Sequence, residues 1–140
     1  MFNRLIILTA AASVVSATAM AAPLTVKLSG VEDRDATLYV GVQTEEQFMK
    51  WDGIAGEKLE DPSAGSHTVT FDVPEGEYSV SVWHDLNNNG EFDMSDMGMP
   101  AEGWAISNGS GLRAEPTFDE VKVVVGPDGA EITETVQYPQ

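Results

Sequence analysis

The chain has 140 residues, 23 Asp+Glu against 7 Lys+Arg for a formal net charge of −16, and no cysteine. A charge of that sign and size repels phosphate backbones and anionic lipid, which disfavours nucleic-acid and membrane-surface roles and favours cations. The length allows one domain, and without disulfides that domain rests on one ordinary hydrophobic core plus whatever a bound metal adds.

The first residues have the form of a secretory signal. Arg4 supplies the positive start, Leu5 to Val15 the apolar run, and Ala19-Met20-Ala21 a small-residue cleavage site. Cleavage is expected after Ala21, with Ala19 as the second choice, leaving a mature domain of residues 22–140 in the periplasm or outside the cell. The apolar run is shorter than the ~20 residues a membrane-spanning helix needs. No cysteine follows it to carry a lipid.

From Pro23 onward the pattern is β. Leu24-Thr-Val-Lys-Leu alternates apolar and polar residues, the period of a half-buried strand. A polar turn, Glu32-Asp-Arg-Asp35, leads into Ala36 to Val42, rich in β-branched and aromatic residues. Thr44 to Trp51 differs: Thr44 can cap with Gln47 three residues on, and Phe48 with Trp51 makes an i, i+3 apolar pair. One or two helical turns are expected there. Asp52 to Gly65 reads as loop. Val69, Phe71 and Val73 then share one face of a strand, and Pro74-Glu-Gly-Glu is a turn signal. Tyr78 to His84 is the clearest strand, with Tyr78, Val80 and Val82 on one side. Met97 to Phe118 lacks periodicity and reads as a long loop, a length that is usually functional or pinned. Lys122 to Val125 and Ile132 to Val136 are expected to close a final hairpin across Pro127-Asp-Gly129. Six to seven strands with no long helix predict an all-β fold, an antiparallel β-sandwich of immunoglobulin-like or transthyretin-like architecture.

The chemistry concentrates where the clearest strand ends. Asp85, Asn87, Asn89, Gly90, Asp93 and Asp96 fall at positions 1, 3, 5, 6, 9 and 12 of a twelve-residue loop, the spacing that wraps oxygen ligands around Ca²⁺. Gly90 permits the sharp turn, and the backbone carbonyl of Glu91 adds an oxygen. Asn89-Gly90 alone would suit a plain hairpin turn. That reading leaves Asp85, Asn87, Asp93 and Asp96 unexplained, and four carboxylates in twelve residues repel unless a cation neutralises them. Unlike EF-hand loops this one leaves a strand rather than a helix, and its twelfth residue is Asp rather than Glu. Weak binding, in the ~10⁻⁴–10⁻³ M range of extracellular modules, is expected, with a structural role. His84 precedes the first ligand, but His67 stands alone in another strand, so zinc has little support. His84 reads as a hydrogen-bonding neighbour of the site or a plain strand residue.

Three ordered motifs resemble a known family. His84-Asp85-Leu-Asn87-Asn-Asn89-Gly90, then Gly98-Met-Pro100-Ala-Glu102-Gly103-Trp104-Ala-Ile-Ser107-Asn108, then Pro116-Thr-Phe118-Asp119 resemble domain-of-unknown-function family 2141, a set of secreted bacterial proteins. The resemblance covers most of the mature chain and implies a small exported β-sandwich of undetermined activity. After Asp93 this sequence departs from it, with Met94-Ser-Asp-Met97 in place of a more apolar, Asn-containing link. In the second motif Glu102, Trp104, Ser107 and Asn108, with His84, make a candidate ligand surface. Alternatively, the segment packs over the open end of the sandwich.

The leading functional expectation is a non-enzymatic exported domain, stabilised by Ca²⁺, that binds a small ligand, glycan or protein through residues 97–118. A hydrolase using Glu102 and Asp119 with His84 is the alternative, although no nucleophile elbow, His-Glu-x-x-His motif or cysteine supports it. A structural or adhesive role is a third reading. There Met94, Met97 and Met99 form a soft contact surface that could also take Cu(I), though the interleaved aspartates favour hard cations.

Overall fold

The computed structural model describes residues 20–140, so the segment expected to be the signal, apart from Met20 and Ala21, lies outside the described residues. Eight strands run in the order β1 (Ala21–Val31), β2 (Thr37–Gln43), β3 (Ala55–Leu59), β4 (Gly65–Pro74), β5 (Gly76–Asp85), β6 (Gly103–Ile106), β7 (Val123–Val125) and β8 (Ala130–Thr135). A 3₁₀ turn at Glu45–Gln47 and one helical turn, α1 (Phe118–Val121), are the helical pieces among the described residues.

Period-two alternation builds both layers. Leu24, Val26 and Leu28 of β1, Val69, Phe71 and Val73 of β4, Leu38, Val40 and Val42 of β2, and Tyr78, Val80 and Val82 of β5 all point into one core. Each such side chain contributes on the order of 1.5–3 kcal/mol through the apolar area it removes from water. One sheet has the order β4-β1-β8. The other has the order β3-β2-β5-β6, with β7 pairing the first three residues of β5. Together they form the expected all-β sandwich, with two more strands legible in the structure than in the sequence.

Those two additions, and one rearrangement, differ from expectation. The Asp52–Gly65 stretch contains β3, an edge strand whose sequence Ala-Gly-Glu-Lys-Leu carries no apolar alternation because most of it faces water. The 97–118 stretch contains β6, which pairs with β5 from Ser81↔Ile106 to His84↔Gly103. The final hairpin does not form. β7 joins one sheet through β5, while β8 joins the other, running parallel to β1 from Leu24↔Ala130 to Ser29↔Thr135. The sandwich is therefore antiparallel except at that pair. Past β8, Trp104 and Gln137 exchange two backbone hydrogen bonds of 2.9 and 2.8 Å, stitching the edge of one sheet to the tail of the other. At the 3₁₀ turn the Thr44 N–H donates to Gln47 Oε1, but Phe48 and Trp51 part company: Phe48 meets Phe118 edge-on, while Trp51 leans towards Trp83.

Candidate cation site

The central strand β5 delivers Asp85 to the end of the sandwich, where its residue is 2% exposed. The chain then turns sharply. Gly90 sits at φ +75°, a conformation glycine adopts without steric cost, and its N–H donates to Asp85 Oδ2 at 2.8 Å. Asn87 Oδ1 accepts from the Asn89 N–H and Asn89 Oδ1 from the Glu91 N–H, so alternate side chains curl inward over the turn. The amide groups of Asn87 and Asn89 both donate to Asp93 Oδ2 at 2.8 Å. Asn88, at φ +52°, straps the loop to the start of β2: its Oδ1 accepts from the Thr37 N–H and its Nδ2 donates to the Asp35 carbonyl.

After Asp93 the chain makes a short excursion and returns. Met94 bridges Pro100, the Ser95 N–H donates to the Met99 carbonyl, and the Ala101 N–H closes the excursion on the Asp93 carbonyl at 2.9 Å. Asp96 lies on this excursion, exposed, as are Met94, Met97 and Met99. Glu91 is also exposed. The return places Glu102 beneath the loop, 1% exposed, with Oε2 accepting from the Leu86 N–H at 2.6 Å. The sequence motif around Glu102 marked it as a ligand-surface residue, whereas the structure buries it beside Asp93 and Asp85.

The electrostatics are those of carboxyl groups without a cationic partner among the described residues. Burial pushes the Glu102 carboxyl up to about 7, reinforced by the neighbouring carboxylates of Asp93 and Asp85 and opposed by the Leu86 N–H. The Asn87 amide, with help from Glu102 and the Asn89 amide, holds Asp93 below the ordinary carboxylate range. No ion pair among the described residues reaches Asp85, Asp93 or Glu102. Four buried polar side-chain atoms among the described residues lack a hydrogen-bond partner, and two of them are carboxylate oxygens here, Asp85 Oδ1 and Glu102 Oε1. A carboxylate oxygen taken from water without a donor or counter-ion is costly, and each such case calls for an explanation. Three carboxylates elsewhere, Asp33, Asp35 and Asp61, bring their oxygens within 4.8 Å of one another, but all are exposed and keep their water. Asp85, Asp93 and Glu102 do not all close to that spacing: Glu102 is within hydrogen-bond reach of Asp93, while the Asn87 and Asn89 amides are turned onto the same carboxylate.

The other expected surface residues divide. His84 is fully buried, accepting or donating through Nδ1 with the Tyr138 hydroxyl at 2.7 Å and through Nε2 with the Ala36 carbonyl at 3.2 Å. Burial lowers its pKa, which keeps the ring neutral; Nε2–H then donates to Ala36 and Nδ1 accepts from Tyr138. Ser107 is buried too, its hydroxyl accepting from the Val80 N–H and donating to the Val121 carbonyl. Asn108 is exposed, yet its N–H and amide are spent on Glu134 and the Lys122 carbonyl. Trp104 is half-buried on β6 directly opposite Trp83. Trp83 stacks on Tyr39 at 4.9 Å, with Trp51 (80% exposed) at 6.1 Å and Phe92 at 6.3 Å. This aromatic face, beside the loop, was largely missed: its members come from five separate segments, and only the folded arrangement of strands and loops joins them.

A family described as an uncharacterized protein conserved in bacteria (DUF2141) matches residues 26–133. The chain belongs to that family. The match takes in the Asp85–Asp93 loop, Glu102 and the aromatic face of this DUF2141 domain. No curated protein and no solved structure matches the chain.

Proposed function

We propose that the chain is an exported, non-catalytic binding domain fastened at one end of its sandwich by a hard divalent cation, Ca²⁺ by chemistry. The observation that carries this reading is Asp85. A buried carboxylate with one oxygen unpartnered heads a loop whose remaining side chains offer oxygen and amide donors rather than nitrogen or sulfur ligands. Asp93 would hold the ion with it once the Asn87 and Asn89 amides give up its carboxylate, and the amide oxygens, each with a second lone pair beside the backbone N–H it accepts, would add to the set. The ion would supply the positive charge that no side chain among the described residues provides.

Titration calorimetry of chelator-treated protein tests this. Saturable heat with Ca²⁺ and a rise in melting temperature are expected. At 100 times Kd, linkage gives about 2.7 kcal/mol, or on the order of 5–15 °C for a domain of this size. Absence of both heat and shift at ~10⁻²–10⁻¹ M Ca²⁺, about 100 times the expected Kd, would sink the reading.

The aromatic face supports a ligand-binding role at the same end. Flat rings with polar neighbours suit a sugar or peptide. Quenching of Trp fluorescence by an oligosaccharide panel, lost on Trp104→Ala or Trp83→Ala, is the expected result; quenching unchanged in both variants would refute it. The hydrolase alternative gains no support from the site, since His84 and Glu102 are both buried and His84 has both ring nitrogens engaged.

A further inference from the structure

We propose that Glu102, from outside the loop, completes the cation site in the place that loop spacing gives to Asp96, so that the ion ties the exit of β5 to the entry of β6. The inference rests on the cation reading above and deepens it.

Two observations converge. First, Asp96 is held away. It stands exposed on the excursion closed by the Met94–Pro100 bridge, the Ser95–Met99 and Gly98–Ser95 hydrogen bonds, and the Ala101–Asp93 hydrogen bond. Swinging it inward would break that set. Second, Glu102 is already inside. The same closure that excludes Asp96 sets Ala101 on Asp93 and so brings the next residue under the loop. There one Glu102 oxygen is fixed by the Leu86 N–H, and the other meets no donor and has the Asp93 carboxylate as its neighbour, in a residue with 1% exposure. Asp85 Oδ1 is the other unpartnered carboxylate oxygen of the cluster. Two buried oxygens of formally like charge, one at the end of β5 and one just before β6, are stabilised together by one divalent ion between them.

The chemistry fits the position. In a Ca²⁺ loop of this class the last ligand is a bidentate glutamate, whose longer arm reaches the ion from the far side. Asp96 lacks that reach; Glu102 has it and approaches from a different element. The competing explanation is a permanently protonated acid that merely packs. Glutamine reproduces that state, since it has the same shape and an oxygen for the Leu86 N–H.

The test is Ca²⁺ titration calorimetry on the chelator-treated full chain and three variants, Asp85→Asn, Asp96→Asn and Glu102→Gln. Loss of a charged ligand is expected to weaken binding by about tenfold or more in Glu102→Gln and in Asp85→Asn, and Asp96→Asn should stay within about threefold of the parent. Glu102→Gln binding as tightly as the parent, or Asp96→Asn losing tenfold, would overturn this assignment while leaving the cation reading in place. No binding by the parent chain would defeat the cation reading itself. Should Glu102→Gln fail to fold, Glu102→Asp keeps the charge and withdraws the arm, and the same two outcomes apply. A Ca²⁺-induced shift of the Leu86 amide NMR signal in the parent, absent from the variant, separates ligation from packing.

Discussion

At the scale of single residues, Glu102 and Gly103 stand side by side and are constrained for different reasons. In the cation-free chain the Glu102 carboxyl titrates at about 7 in the fold, against an ordinary value of 4.5. The fold therefore holds this proton more tightly than the unfolded chain does. Its stabilising contribution is fully present below pH 4.5 and is lost as pH rises through about 7. Glutamine cannot titrate. With chelator present, the stability of the parent relative to Glu102→Gln should fall between those two pH values and level off above them. Urea melts at a series of pH values measure it, and a flat difference would contradict it. Gly103 is required by space: a Cβ there would lie 2.6 Å from Tyr138 Cε1 and 2.8 Å from His84 Cβ. Gly103→Ala should cost about 1–3 kcal/mol by overpacking, read as a lower urea midpoint at unchanged slope.

At the scale of elements, the loop after β5 is set by its anchors as much as by its donors. Asn88 contributes no inward oxygen, yet it bonds Thr37 and Asp35 at the head of β2. Asn88→Ala keeps every candidate ligand and frees the strap, so Ca²⁺ affinity should drop several-fold through lost pre-organisation, with a lower melting temperature also in chelator. Calorimetry paired with a melt checks both. Much of this loop was legible in the sequence, because side chains at alternate positions of a tight turn face inward whatever surrounds them. The place of Glu102 was not, since it depends on the Met94–Pro100 excursion folding back, and nothing in Met-Ser-Asp-Met-Gly-Met announces where the chain returns. The expected hairpin at Pro127-Asp-Gly129 failed for a related reason. Turn chemistry fixes a change of direction, and Gly126 and Gly129 do pair, but it does not decide whether the flanking strands join each other or two different sheets.

For the molecule as a whole, alternation made the core strands readable, while edge strands β3 and β6 were hidden because short, half-wet segments need no apolar period. Charge acts at this scale too. A net charge of −16 on a domain of this size opposes compaction by self-repulsion. In chelated protein, 0.5 M NaCl should raise the melting temperature by a few degrees through screening. Millimolar Ca²⁺ should exceed that shift at far lower ionic strength. Differential scanning fluorimetry separates the two, and equal shifts at matched ionic strength would mean general screening alone.

The pairing of β1 with β8 has a consequence in time. β1 lies between β4 and β8, so the first strand to emerge has one of its two neighbours more than a hundred positions later, Leu24 beside Ala130. Parallel contacts of such separation form slowly, and refolding in the millisecond-to-second range is expected by stopped-flow fluorescence. Removing residues 130–140 should abolish cooperative unfolding. A nascent chain of this design keeps one flank of its first described strand unpaired until β8 has been made, a delay that the order of the strands imposes.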